Sequence, residues 1–367
     1  MTPTTWFGTV TCTGKELVFT GPKKIEFREY KDIPISPTEV RVETVFSGIS
    51  HGTEMNVYRG FAPFYNKTWD PKLHLFKTGK ASWEYPVTYG YEEVGCVTKV
   101  GKEVTGIEEG EVVALGYGHR TSAILNSEAA KASVLPKDVE AIEGIFMGIA
   151  PTALNIVLDA SIRVGEAVAI FGQGVVGLIA MQFAKLSGAD PLIAVDLIDK
   201  RLKLSKELGA DVTLNPQKCE DVAQTIRELT DNRGADIVIE VSGSYKALHE
   251  AIRSCAYSSK VIAAGFYPLA GKDLFLGDEF HHNRINIVGS QIAGVNPELK
   301  YRWDHGRLRK TVINRIQKRK IELKRLISHK VPFEDAAKAF ELIDQHPEEV
   351  VQVALTFGEK RNPQSLR

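Results

Sequence analysis

The sequence predicts a two-part α/β protein, a β-rich region joined to a doubly wound parallel sheet. Residues 1 to about 140 contain short runs of period two, and from about residue 142 apolar strands alternate with helical stretches. The length of 367 residues matches two to three domains at roughly 150 residues each.

In the first part, Glu16 to Phe19 and Lys24 to Phe27 read as short strands, and Glu39 to Val45 alternates as a half-buried strand should. Gly95 to Gly101 and Glu111 to Leu115 continue the pattern. The stretch from Phe61 to Pro86 is rich in aromatics and has no clean period, so it reads as a long functional loop. In the second part, Ala167 to Phe171 is a buried strand, Val175 to Leu186 a helix, and Leu192 to Asp196 the next strand. A helix from Lys200 to Leu208 stops at Gly209, and strands follow at Asp236 to Val241, Lys260 to Gly265 and Ile285 to Gly289. Apolar strands separated by helices require a parallel sheet covered on both faces, and right-handed crossovers make it doubly wound. Between Lys300 and Lys330 stand twelve Lys or Arg and two acidic residues, with Leu308, Val312, Ile313 and Ile316 on one helical face; this reads as an amphipathic helix with a solvated basic side.

The chain is 43% hydrophobic and 25% charged, which excludes disorder. Lys plus Arg is 46 and Asp plus Glu is 46, and this balance gives a nucleic acid or anionic membrane nothing to attract. Cys12, Cys96, Cys219 and Cys255 approach no closer than 36 residues, which excludes a disulfide scaffold and a Cys-rich zinc lobe. The start, MTPTTWFGTVTC, lacks a basic and apolar leader. Glycines and Gln173 interrupt the apolar window from Ala167 to Ala184, a poor membrane span. The expected compartment is the cytoplasm, with reduced thiols.

Gly172-Gln173-Gly174-Val175-Val176-Gly177 follows a strand and opens a helix, the context a dinucleotide site requires. Gly172 permits the tight turn, Gly174 leaves room for a pyrophosphate, and Gly177 allows close helix packing. The helix N-terminus offers free N–H groups to phosphates. Asp196 ends the next strand, 19 residues after Gly177, where a carboxylate bonds ribose hydroxyls and repels a 2′-phosphate. The expected cofactor is therefore NAD, although Arg201 is nearby. Gly265, at the end of a later strand, is counted with the cofactor-binding residues.

Three segments carry a wider resemblance: Ser47-Gly48-Ile49-Ser50-His51-Gly52-Thr53-Glu54, Gly90-Tyr91-Glu92-Glu93-Val94-Gly95, and Ile327 to Ala337. With the glycine motif they make the chain resemble the medium-chain dehydrogenase/reductase superfamily. That resemblance implies a GroES-like catalytic domain from residues 1–155, completed by 296–367, around a Rossmann domain at 156–295. It implies substrate in the cleft between them and a homodimer or homotetramer joined through the terminal strand near Ile285 to Ser290.

The departures from that family concern zinc. Its first ligand position holds either Ser50 or His51, its second holds Tyr91, and Gly148-Ile149-Ala150-Pro151 offers no third ligand; Glu92 alone survives. No zinc is expected, the alternative being an unorthodox site on His51, Glu92 and His119. Ser50 to Glu54, Gly90 to Glu92, Gly118-His119, Asn283 to Gln291 and Arg302-Trp303 are similar to zinc-lacking members related to bacteriochlorophyllide dehydrogenase.

Oxidising an alcohol without metal requires a base for the hydroxyl proton. His51 is the first candidate, as a neutral imidazole near its ordinary pKa of about 6.5. Tyr91 assists, Thr53 is a relay to a proton or the cofactor ribose, and His119, expected in an exposed turn, is the weaker alternative. The aromatic stretch, with Lys67, Asp70, Lys77 and Lys80, favours a polyol, sugar or cyclitol substrate, with a hydrophobic ring left open. The leading function is NAD-dependent, zinc-independent oxidation of a secondary alcohol to its ketone. The runner-up is an NAD(P)H-dependent quinone or enoyl reductase, and a cofactor-binding redox sensor is third.

Overall fold

Val168–Phe171 lies at the middle of a six-stranded parallel sheet in the computed structural model, which describes residues 13–31, 33–79, 81–291 and 294–358. Cys12, Lys80 and the start of the chain, on which the leader reading fell, lie outside the described residues. In spatial order the strands are Val212–Leu214, Leu192–Val195, Val168–Phe171, Ala235–Glu240, Cys255–Ala263 and Asn286–Gly289. All five pairings are parallel. The chain first builds outward from Val168–Phe171 on one side and then on the other, so the order reverses beside that strand. Ligands of doubly wound sheets bind at such a reversal, beyond the carboxyl ends of the strands.

The central strands are uniformly apolar and fully buried, as a sheet covered on both faces demands. Helix Val175–Leu186 is nearly all apolar and sits in the core, which explains the apolar window: it resolves into strand, glycine turn and helix. Among the described residues no single helix is long and apolar enough to cross a membrane. Helix His305–Gln317 is capped by Asp304, whose carboxylate accepts the Arg307 N–H at 2.6 Å. Its Leu308, Val312 and Ile316 are buried and Ile313 packs partly against the same core.

The other sheet runs Ile327–Pro332, Gln352–Thr356, Glu39–Ile49, Glu93–Val100 and Val112–Ala114, with Ser122–Asn126 also paired to Glu39–Ile49. Gln352–Thr356 lies antiparallel on Glu39–Ile49, so the end of the chain completes a sheet begun near its start. A separate hairpin, Thr13–Gly21 with Lys24–Lys31, packs alongside through Leu17 and Phe19. The stretch from Phe61 to Pro86 is not the structureless loop expected. It holds a short helical turn at Pro63–Tyr65 and an antiparallel hairpin, Lys67–Asp70 with Leu75–Thr78. That hairpin lies mostly in solvent, and none of its residues is fully buried, so no apolar alternation marks its sequence.

Candidate active site

Gly172 adopts φ +96°, the left-handed region that favours glycine, and a Cβ there would meet Ser242 N at 2.8 Å. Gly174 faces open space, whereas a Cβ on Gly177 would come within 1.8 Å of the Gly172 carbonyl. The three glycines thus serve turn, clearance and packing as expected. Gln173 points inward, its side chain donating to Ile170 O at 2.9 Å and accepting from Ser205 Oγ at 3.0 Å. Val175 and Val176 form the first turn of the helix that follows. A cavity of about 550 Å³ opens beside this turn, lined by Gly172, Asp196, Ile198, Arg201 and Ser242 among others. Asp196 accepts the Gln173 N–H at 2.6 Å and the Ile198 N–H at 2.8 Å, one on each oxygen. Each oxygen keeps a lone pair for a hydroxyl. These residues fit a nicotinamide dinucleotide. Gly265 lies outside this cavity's lining; it is bonded to Glu240 O at 3.0 Å and pressed against Gly243. Glu240 is itself buried, accepts from Ser242 and Tyr267, and is held above the usual carboxylate range chiefly by its burial.

Arg201 reaches across to the other sheet's side of the molecule. Its Nη2 donates to Pro347 O at 2.9 Å and Val350 O at 3.1 Å. With Arg59 and His329 it bears electrostatically on His51. His51 Nε2 is buried and has no hydrogen-bond partner. Burial first, and then those neighbours, push its pKa down to about 3. The expectation of an imidazole near 6.5 is therefore corrected, since burial, and after it charge brought from distant segments, disfavours protonation.

Tyr91 donates to Ser50 Oγ at 2.5 Å and also bonds Thr53. Burial, then the Glu92 and Glu54 carboxylates, raise its pKa well above the ordinary phenol value. This favours the protonated phenol, which donates the hydrogen bond to Ser50. Thr53 opens the helix Thr53–Arg59, which places Glu54 in its first turn. His119 is not exposed: Nε2 lies 2.7 Å from Glu54 Oε2 and Nδ1 lies 2.6 Å from Ser47 Oγ. Ser47 in turn donates to Glu93 Oε1 at 3.1 Å. Burial works to lower the His119 pKa, yet Glu54 and Glu93 outweigh it and the net direction is upward. Both ring nitrogens are thus engaged in a closed hydrogen-bonded network.

Glu92 and Glu93 project to opposite faces of the backbone, as successive extended residues do. Glu93 meets His119, while Glu92 accepts from Gln352 Nε2 at 3.0 Å. Burial, then Glu54 and Glu93, raise the Glu92 pKa well above its ordinary value. Ser47, Glu93 and Gln352 were not singled out from sequence; the doubled acid of Glu92-Glu93 in an apolar run was the available signal.

His51, Glu92 and His119 do not assemble as metal ligands. Among the described residues, the one group of three metal-type side chains with ligand atoms within 4.8 Å is His346, Glu348 and Glu349, all exposed.

A glycine turn at the reversal of a parallel sheet, together with a buried cluster of acid–base side chains in the other part of the chain, fits a medium-chain nicotinamide dehydrogenase. The chain belongs to the medium-chain zinc-binding dehydrogenase family. The zinc-binding dehydrogenase model matches residues 175–305. D-guloside 3-dehydrogenase of Escherichia coli K12 is 31% identical over 352 residues, covering 94% of this chain and 100% of the relative. Sorbitol dehydrogenase 1 of Saccharomyces cerevisiae is 28% identical over 325 residues, covering 78% of this chain and 87% of the relative. The fold also matches crystalline 2R,3R-butanediol dehydrogenase from Bacillus subtilis, with TM-score 0.75 and 20% identity over 94% of this chain and 99% of the other.

Proposed function

We propose that this protein oxidises a secondary alcohol of a sugar, polyol or cyclitol to the ketone, using NAD and no catalytic zinc, as a cytoplasmic homodimer or homotetramer. The observation that carries this reading is the buried, unpartnered Nε2 of His51 within electrostatic reach of Arg201, which lines the dinucleotide cavity. The relatives' activities on a guloside and on sorbitol favour a polyhydroxylated substrate.

When bound, the nicotinamide supplies the hydride acceptor. His51 Nε2 takes the hydroxyl proton of the substrate as its C–H hydride departs. Burial first, and Arg201 and Arg59 after it, hold the His51 pKa down to about 3, and an anion beside these arginines would relieve the electrostatic part. Tyr91, kept protonated, bonds Ser50 and fixes the hydroxyl groups of the cleft. Asp196 holds the adenosine ribose, and its charge disfavours a 2′-phosphate.

The donor set does not fit the family's zinc. Tyr91 is bonded to Ser50, His119 is bound on both nitrogens, and Glu92 is tied to Gln352. Tetrahedral zinc needs three or four convergent N, S or O ligands. Hydride transfer from a panel of polyols and glycosides to NAD, with elemental analysis after chelator dialysis, tests the reading. Turnover with substoichiometric zinc supports it; zinc-dependent turnover, or consumption of NADPH with quinones in place of alcohol oxidation, contradicts it.

A further inference from the structure

Glu240 is wholly buried at the carboxyl end of strand Ala235–Glu240, and four donors converge on its carboxylate. Ser242 gives its N–H to Oε1 at 2.7 Å and its hydroxyl to the same oxygen. The Gly243 N–H reaches Oε2 at 3.4 Å, and the Tyr267 hydroxyl donates to that oxygen too. An ionised carboxylate only accepts, so it can take all four bonds at once. Burying a carboxylate is costly unless its oxygens are bonded in this way.

The donors come from two segments. Ser242 lines the dinucleotide cavity with Gly172 and Asp196, and Ser244 follows it on the same wall. Tyr267 belongs to the segment that leaves the neighbouring strand Cys255–Ala263. The two backbones touch at a pair of glycines. A Cβ on Gly265 would lie 2.4 Å from Gly243 N, and a Cβ on Gly243 would lie 2.6 Å from Phe266 O. Beyond them the Tyr267 ring packs on Tyr245 with centroids 5.0 Å apart, and the Tyr245 hydroxyl donates to Leu269 O at 2.7 Å. A doubly wound sheet binds a dinucleotide across its carboxyl end, one nucleotide on each side of the reversal. With the adenosine half at Asp196, residues 265–267 stand on the side of the nicotinamide half.

We infer that Glu240 is a positioning residue for the cofactor: it ties the turn at 242–243, on the adenosine side, to residues 265–267, on the nicotinamide side, and so holds the second segment ready for the nicotinamide. This rests on NAD binding at the glycine turn, as proposed above, and is independent of which alcohol is oxidised. It also gives Gly265 a place in cofactor binding although it lies outside the cavity lining. A segment ordered before the ligand arrives loses less on binding. Released from Glu240, residues 265–267 would have to be ordered by the nicotinamide itself.

The test titrates the full chain by calorimetry with NADH and with ADP-ribose, which has the adenosine, both phosphates and both sugars but no nicotinamide. The wild type should bind NADH more tightly than ADP-ribose. Tyr267→Phe keeps the ring on Tyr245 and removes the donor to Glu240. It should weaken NADH about fivefold and leave ADP-ribose nearly unchanged, so the ratio of the two affinities falls. Glu240→Gln, in which an amide N–H replaces one oxygen, should lower that ratio as well. A purely structural role would weaken both ligands equally, or lower the melting temperature alone, with the ratio fixed. A ratio unchanged in either folded variant, or equal affinities in the wild type, overturns the inference and leaves the NAD reading standing. Should Glu240→Gln not fold, Tyr267→Phe still decides, because it leaves the carboxylate its three other donors. A wild type that binds neither ligand overturns both.

Discussion

His119 Nε2 lies 2.7 Å from Glu54 Oε2, and both side chains are wholly removed from solvent. This pair joins the connection that carries His119, between Val112–Ala114 and Ser122–Asn126, to the helix Thr53–Arg59, immediately after the His51 turn. Glu54 Oε1 also accepts the Ser50 N–H at 3.2 Å, so the pair fixes the backbone from which Ser50 and His51 project.

His119→Ala removes the buried imidazole that both Glu54 and Glu93 approach. Breaking a buried pair by removing one partner costs about 3–5 kcal/mol. Urea denaturation should show a loss of that size. The His119 pKa is raised in the folded state, so its contribution is complete below the ordinary 6.5 and fades as pH climbs through the folded value. The difference between wild type and variant should therefore shrink at alkaline pH. A loss below about 1 kcal/mol at pH 6 would mean the network carries little.

Glu92 points the same way in pH but for another reason. Its folded pKa is raised, so the native state binds more protons than the unfolded chain and stability falls as pH rises above about 4.5. Glu92→Gln keeps an oxygen to accept from Gln352 and removes the charge. The variant's melting temperature should decline less between pH 5 and 8 than the wild type's. Parallel curves for the two proteins would contradict the buried-acid assignment.

These two clusters show where sequence reading stops. The glycine motif was legible because its turn, clearance and packing roles are set within six residues and one adjoining strand. The parallel sheet was legible because fully buried strands are written as continuous apolar runs. Ser47 and His119 are separated by 72 positions, and Glu92 and Gln352 by 260, so their pairing depends on strand register and on the returning C-terminal strand. His51 was visible by residue type and motif, yet its pKa depends on burial first and then on Arg201 and Arg59, which only the fold brings about.

The edge strand Asn286–Gly289 gives the assembly prediction. It has one neighbour in the sheet, and Ile287 and Val288 are 37% and 36% exposed. An unpaired apolar edge is a template for a second copy. Light scattering at micromolar concentration should give a dimer or tetramer mass, and Val288→Lys should reduce it. A monomer mass for the wild type would refute this.

Cofactor choice turns on Asp196, both of whose oxygens are anchored by backbone N–H groups on the cavity wall. NADH should bind at least about tenfold more tightly than NADPH, and Asp196→Ser should narrow the gap. Fluorescence titration decides it, and tighter NADPH binding would reverse the assignment.

The central claim is that His51 accepts the substrate's proton, and single-turnover kinetics of His51→Ala test it most directly. General-base catalysis contributes about a hundred- to ten-thousand-fold. With a sugar or polyol alcohol that the wild type oxidises, the variant should lose at least about a hundredfold in the hydride-transfer rate while its NADH dissociation constant stays nearly unchanged. A variant that keeps a near-wild-type hydride-transfer rate on that substrate would contradict the account.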